Sequence, residues 1–87
     1  MTAIAVDGEP VLLVNVDGMI RAYANRCPHQ ASALDRGDLD GERLTCATHL
    51  WEFSALTGRG INPEDARLTS YGCRVGEDGT IYVDIGR

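Results

Sequence analysis

Apolar residues in this chain come in short runs separated by polar, glycine-bearing turns, and nowhere keep a sustained 3.6-residue period. Val11-Leu12-Leu13-Val14-Asn15-Val16, then Asp17-Gly18, then Met19-Ile20-Arg21-Ala22-Tyr23 reads as a β-hairpin, because Asp-Gly between β-rich runs is a strong turn signal. Asp40-Gly41 precedes a strand expected over Glu42–Cys46, and His49–Ser54 continues into a third. Thr57-Gly58-Arg59-Gly60 reads as a turn and Ile61-Asn62-Pro63-Glu64-Asp65 as a loop. Tyr71–Val75, the turn Glu77-Asp78-Gly79 and Thr80–Ile85 form a closing hairpin, while Ala31–Leu39 has room for one short helical turn. Many short strands with glycine turns predict an all-β domain, a small antiparallel sandwich or barrel.

At 87 residues the chain makes one domain, near the low end of domain size. With one Trp, one Phe and three Tyr, its core must rest on Val, Ile, Leu and Ala, and a bound metal centre often supplies stability that so small a core lacks. The formal charge is −5, with thirteen acidic residues against eight Arg and no Lys. That balance argues against nucleic acid as a partner, since phosphate binding needs basic patches. It suits docking onto basic patches of other proteins, and it equally serves plain solubility. The first residues lack a basic n-region, and no run approaches the roughly twenty apolar residues of a membrane span. The expectation is a soluble, cytoplasmic monomer.

Cys27-Pro28-His29 and Cys46-Ala47-Thr48-His49 form two mixed Cys/His pairs, C-x-H-x16-C-x2-H. They use both histidines of the chain and two of its three cysteines. A Rieske [2Fe–2S] centre needs this set, two Cys on one iron and two His in place of Cys on the other. Mixed pairs let each loop give one ligand to each iron, so that the two loops clamp the cluster from opposite sides. The alternative is a structural zinc site of Cys2His2 type. Zinc fingers usually group the pairs by type, C-x2–4-C then H-x3–5-H, which is not the arrangement here. After ligation only Cys73 remains, at strand spacing between Tyr71 and Val75, where a buried structural thiol is expected; no intramolecular disulfide is then possible.

Over nearly its whole length the chain resembles the Rieske-type ferredoxins. Cys27-Pro28-His29-Gln30 and Cys46-Ala47-Thr48-His49-Leu50-Trp51 resemble the two cluster-binding loops of that family, and Gly58-Arg59-Gly60-Ile61-Asn62-Pro63 resembles its third, proline-bearing covering loop. The resemblance implies an antiparallel β-sandwich-like body with a small cluster-binding subdomain at one tip, approximately residues 26–64 of a single 1–87 domain. It puts Cys27 and Cys46 on the inner iron, and His29 and His49 on the outer iron near solvent. His49–Phe53 together with Gly60–Asp65 is most similar to ferredoxins of bacterial multicomponent diiron monooxygenases of the toluene 4-monooxygenase type.

Two departures matter. The respiratory and photosynthetic Rieske proteins carry two further cysteines that form a disulfide between the loops; Ser32 and Thr48 stand at those positions here, so that bridge cannot form. The Ser and Tyr hydroxyls that donate to cluster sulfur in those proteins are replaced by Trp51 and Phe53. Fewer such donors imply a potential near the low end of the Rieske range, roughly −150 mV.

The resemblance thus implies an electron carrier and no enzyme: one [2Fe–2S] cluster, charged by an NADH-dependent flavin/iron–sulfur reductase and discharged into the hydroxylase component of an oxygenase. Alternatives within the same chemistry are the ferredoxin of a ring-hydroxylating dioxygenase and the Rieske-like small subunit of a nitrite reductase; a structural zinc module belongs to another class. Gln30, Leu50 and Trp51 flank the ligand positions, Pro63 belongs to the covering loop, and all four are candidates for partner docking, with core packing the competing role of Trp51.

Overall fold

The computed structural model describes residues 1–28, 32–48 and 50–86. Among the described residues it has nine strands: β1 (Thr2–Val6), β2 (Glu9–Val16), β3 (Met19–Ala24), β4 (Asp38–Asp40), β5 (Arg43–Thr45), β6 (Glu52–Ser54), β7 (Gly60–Asn62), β8 (Ser70–Val75) and β9 (Ile81–Asp84). A 3-10 turn, Leu34–Arg36, falls inside the stretch expected to hold a short helical turn. The all-β expectation holds. Among the described residues no helix is long and apolar enough to cross a membrane.

The strands form two antiparallel sheets, one of five strands in the order β1-β2-β3-β8-β9 and one of four in the order β4-β5-β6-β7. The β2–β3 hairpin is where the Asp-Gly pair put it. Val16 faces Met19 across the turn, and Asp17 and Gly18 both have positive φ, 51° and 86°. Such a turn matches the right-handed twist of the strands and favours glycine at its second position. Asn15 Oδ1 accepts a 2.8 Å hydrogen bond from the Gly18 N–H and fixes the turn further.

The entire four-stranded sheet lies between β3 and β8 in sequence. Those two strands nevertheless pair, Ala22 with Tyr71 and Tyr23 with Ser70. The chain therefore leaves the large sheet, builds the small one and returns beside its point of departure. One apolar cluster joins the two: Leu12, Val14, Val16 and Tyr23 pack with Leu34, Leu44, Phe53, Ala55 and Leu68. Tyr23 crosses between them, its hydroxyl donating a 2.7 Å hydrogen bond to the Ala55 carbonyl. Burial pushes the Tyr23 phenol above its ordinary value, against a smaller downward pull from Arg21.

Four details differ from the expectations. β1 and β4 form where the sequence pattern marks no strand. β7 occupies part of the 61–65 loop and pairs irregularly with β6, Phe53 opposite Gly60 and Glu52 opposite Asn62. The strand expected over His49–Ser54 starts only at Glu52, because Leu50 takes a left-handed φ of 57° and the chain before β6 is folded into a closed loop.

Candidate functional site

Cys27 and Cys46 each head a loop that the cysteine's own N–H closes. The Cys27 N–H donates to the Ser32 carbonyl at 2.7 Å, and the Cys46 N–H donates to the Trp51 carbonyl at 2.8 Å. Both bonds span five residues, so the two loops share one construction although their sequences differ. The second is the loop of the β5–β6 hairpin, whose last pair is Thr45 with Glu52. It is tightened by the Leu50 N–H donating to the Cys46 carbonyl at 3.0 Å. The first loop is held at both ends. Before it, the Asn25 N–H bonds the Pro10 carbonyl of β2; after it, the Asn25 side chain donates to the Asp35 carboxylate at 2.9 Å and accepts from the Asp35 N–H at 3.1 Å.

Cys27 and Cys46 are 2% and 1% exposed and belong to the same core cluster as Leu34, Leu44 and Phe53. None of the three cysteines forms a disulfide. Two buried thiols in one apolar cluster, each at the head of a closed loop, fit a soft, thiolate-preferring metal centre. The charge of a buried thiolate is costly unless a cation compensates it, and iron would do so. His29, His49 and Gln30 lie outside the described residues.

Ser32 connects the two loops. Its carbonyl closes the Cys27 loop, while its hydroxyl lies 3.7 Å from Cys46 Sγ and accepts a 2.9 Å hydrogen bond from Thr48 Oγ1. In the sequence, Ser32 and Thr48 stand out only as positions without cysteine. The hydroxyl beside the Cys46 sulfur escapes such a reading, because nothing in the spacing of a lone Ser and Thr says that they meet.

The remaining candidates separate by exposure. Leu50 is 68% exposed, whereas Trp51 is half-buried and packs against the core cluster, so its competing core role is real. Pro63 is half-buried in the turn after β7, where the Ala66 N–H reaches back to its carbonyl at 3.3 Å. Cys73 corrects an expectation: it is only half-buried, opposite Val83 in the β8–β9 hairpin, and is not a member of the core cluster. It lies on β8 of the large sheet.

A model of the Rieske [2Fe–2S] domain matches residues 1–72. The chain belongs to the Rieske [2Fe–2S] domain family. The ferredoxin component of the alkene monooxygenase system of Xanthobacter autotrophicus is 40% identical over 85 residues, covering 95% of this chain and 68% of that protein. Among solved Rieske structures, the ferredoxin of carbazole 1,9a-dioxygenase from Nocardioides aromaticivorans superposes with a TM-score of 0.83 at 29% identity, covering 95% of this chain and 82% of that one. A second, described as a complex of reduced oxygenase and oxidised ferredoxin in carbazole 1,9a-dioxygenase, gives 0.82 at 27% identity over 94% of this chain and 85% of that chain. The curled antiparallel sheets of the present chain are those of the Rieske ferredoxin fold.

Proposed function

We propose that this chain is a cytoplasmic, soluble and monomeric carrier of single electrons for a multicomponent oxygenase, with Cys27, His29, Cys46 and His49 holding one [2Fe–2S] cluster. The observation that carries the reading is the pair of buried cysteines at the heads of two identically closed loops, linked to each other through Ser32. Bound there, the cluster supplies one reversible one-electron couple. Cys27 and Cys46 supply the inner thiolates, and His29 and His49 the outer ligands nearer solvent. The loops belong to a cluster-binding part of approximately 26–64 within one 1–87 domain. The chain moves charge and leaves bond-making to its partner.

Electrons enter from an NADH-dependent flavin/iron–sulfur reductase and leave to a hydroxylase component. The relative in an alkene monooxygenase system favours a monooxygenase hydroxylase, in line with the Ile61-Asn62-Pro63 loop. The dioxygenase ferredoxins of the same fold support a ring-hydroxylating dioxygenase as the second reading.

Purified protein tests this directly. The expected result is a reddish-brown oxidised form with visible absorption and, after one-electron reduction, a Rieske-type EPR signal. A colourless protein containing zinc would sink the reading. Oxidation of the reduced protein by a diiron hydroxylase but not by a ring-hydroxylating dioxygenase separates the two acceptors.

A further inference from the structure

We propose that Ser32 is a hydrogen-bond donor to the Cys46 sulfur, aimed by Thr48, and that this two-hydroxyl relay holds the reduction potential of the loaded protein above the value that its missing Ser and Tyr donors imply. The inference rests on the reading of Cys46 as an iron ligand and goes beyond it, by naming residues outside the ligand set that set the driving force for electron transfer.

The geometry fixes the direction of the relay. A hydroxyl has one proton and two lone pairs. Thr48 Oγ1 donates to Ser32 Oγ at 2.9 Å and takes up one of those lone pairs. Ser32 then has its own proton to direct elsewhere, and Cys46 Sγ lies 3.7 Å away, within the reach of a sulfur acceptor. In a protonated thiol either partner can donate. A ligating thiolate has no proton, so Ser32 must donate. The Ser32 backbone cannot drift from this post, because its carbonyl holds the Cys27 N–H at 2.7 Å. Ser32 is half-buried while Thr48 is exposed, so the bond to sulfur is partly shielded and its support stands at the surface.

The energetic consequence follows from charge. Reduction brings in one electron from the reductase, and the ligand sulfur becomes more negative; Ser32 keeps its proton, and no bond to hydrogen breaks. A hydrogen bond to an anionic acceptor strengthens as the charge grows. The reduced state gains more than the oxidised state, and the potential rises. A donor that itself accepts a hydrogen bond is polarised toward its acceptor, so Thr48 adds to the effect only through Ser32. Both are positioning residues, without contact to a reacting atom of any substrate.

The test is the midpoint potential, by spectroelectrochemistry, of wild type, Ser32→Ala, Thr48→Val, Thr48→Ser and the Ser32→Ala/Thr48→Val double variant. Ser32→Ala should shift the midpoint to more negative values, Thr48→Val should shift it less in the same direction, and Thr48→Ser should leave it near wild type. The double variant should match Ser32→Ala, because Thr48 has nothing left to act through. Resonance Raman gives an independent readout: the Fe–S stretching bands of wild type should respond to H2O/D2O exchange, and that response should shrink in Thr48→Val. This arm decides the matter if Ser32→Ala does not assemble. An unchanged midpoint in a cluster-bearing Ser32→Ala overturns the relay, as does a Thr48→Val shift of equal size in both backgrounds. If wild type carries no Rieske-type spectrum, the ligand assignment fails first and the relay falls with it.

Discussion

Thr48 Oγ1 donates a 2.9 Å hydrogen bond to Ser32 Oγ, and so joins the two cysteine loops through a pair of hydroxyls where a disulfide would be the covalent alternative. A hydrogen bond of this kind contributes about 0.5–1.5 kcal/mol, against the roughly 2–5 kcal/mol lost with a native disulfide. Thr48→Val should therefore lower the unfolding free energy by about 1 kcal/mol or less, since Thr48 is exposed. Melting of the wild type should be indifferent to mild thiol reductants. Urea titrations with and without dithiothreitol measure both; a reductant-dependent midpoint would contradict the bridge.

Removing a thiolate acts on a different scale. Cys27→Ser and Cys46→Ser should each abolish the visible spectrum and the EPR signal and lower the melting temperature of the remaining chain, because metal-binding energy is part of the folding energy of so small a protein. Cys73→Ser should leave the spectrum intact, since Cys73 sits in the β8–β9 hairpin opposite Val83. A wild-type spectrum in Cys46→Ser would remove Cys46 from the ligand set.

Gly60 has no space for a side chain: the backbone carbonyls of Pro63 and Ala66 stand where a β-carbon would go. Its N–H also closes the loop by donating to the Ala66 carbonyl at 2.9 Å. Gly60→Ala should cost roughly 1–3 kcal/mol by overpacking. The damage should centre on the segment from β7 to Ala66, which hydrogen exchange can localise. Gly79→Ala places its methyl in open space, so its cost should come from the positive φ of 86° instead.

Tyr23 predicts an alkaline limit to stability. Its phenol titrates above the ordinary value of 10.0 in the folded chain, chiefly because burial disfavours the phenolate. The sign follows from linkage: the contribution is fully present below the unfolded pKa and is lost as pH rises through the folded one. Tyr23→Phe should cost about 1 kcal/mol at neutral pH, through loss of the bond to Ala55. The gap between the two proteins should narrow above pH 10. Parallel denaturation curves at every pH would show that Tyr23 does not titrate this way.

Exposure changes which residue best probes docking. Trp51 packs on the core, so Trp51→Ala mixes lost stability with lost contact. Leu50, 68% exposed within the second loop, separates the two. Leu50→Asp should leave the spectrum unchanged and slow turnover of the reconstituted reductase–ferredoxin–oxygenase chain several-fold. Tyr82→Ala, on β9 of the large sheet, should not. The reverse ranking would move the electron exit away from the cysteine loops.

The parts of the fold legible in the sequence are those where local chemistry and tertiary packing agree. Asp17-Gly18 between two β-rich runs leaves little choice, and β2 and β3 follow. β4 is illegible because Asp38 and Asp40 are poor strand formers; it exists because Leu39 packs on the core and pairs opposite Leu44. β1 is an edge strand with mostly exposed residues, so its alternation is faint. At the site, the spacing of Cys27 and Cys46 identifies their loops, since ligand type and interval are local properties. The Ser32–Thr48–Cys46 contact joins two loops and arises only once both have closed.

The small sheet departs from β3 and comes home to β8, whose residues pair directly with those of β3. Such a detour has its two ends a strand's width apart, so replacing residues 25–69 with the matching stretch of another carrier asks nothing new of the framework's geometry. The shared core sets the condition for the exchange. Leu34, Leu44, Phe53 and Ala55 press on Leu12, Val14 and Tyr23 across the seam. A graft that brings its own loops but not those four apolar residues would arrive with the right fittings and no floor to stand on.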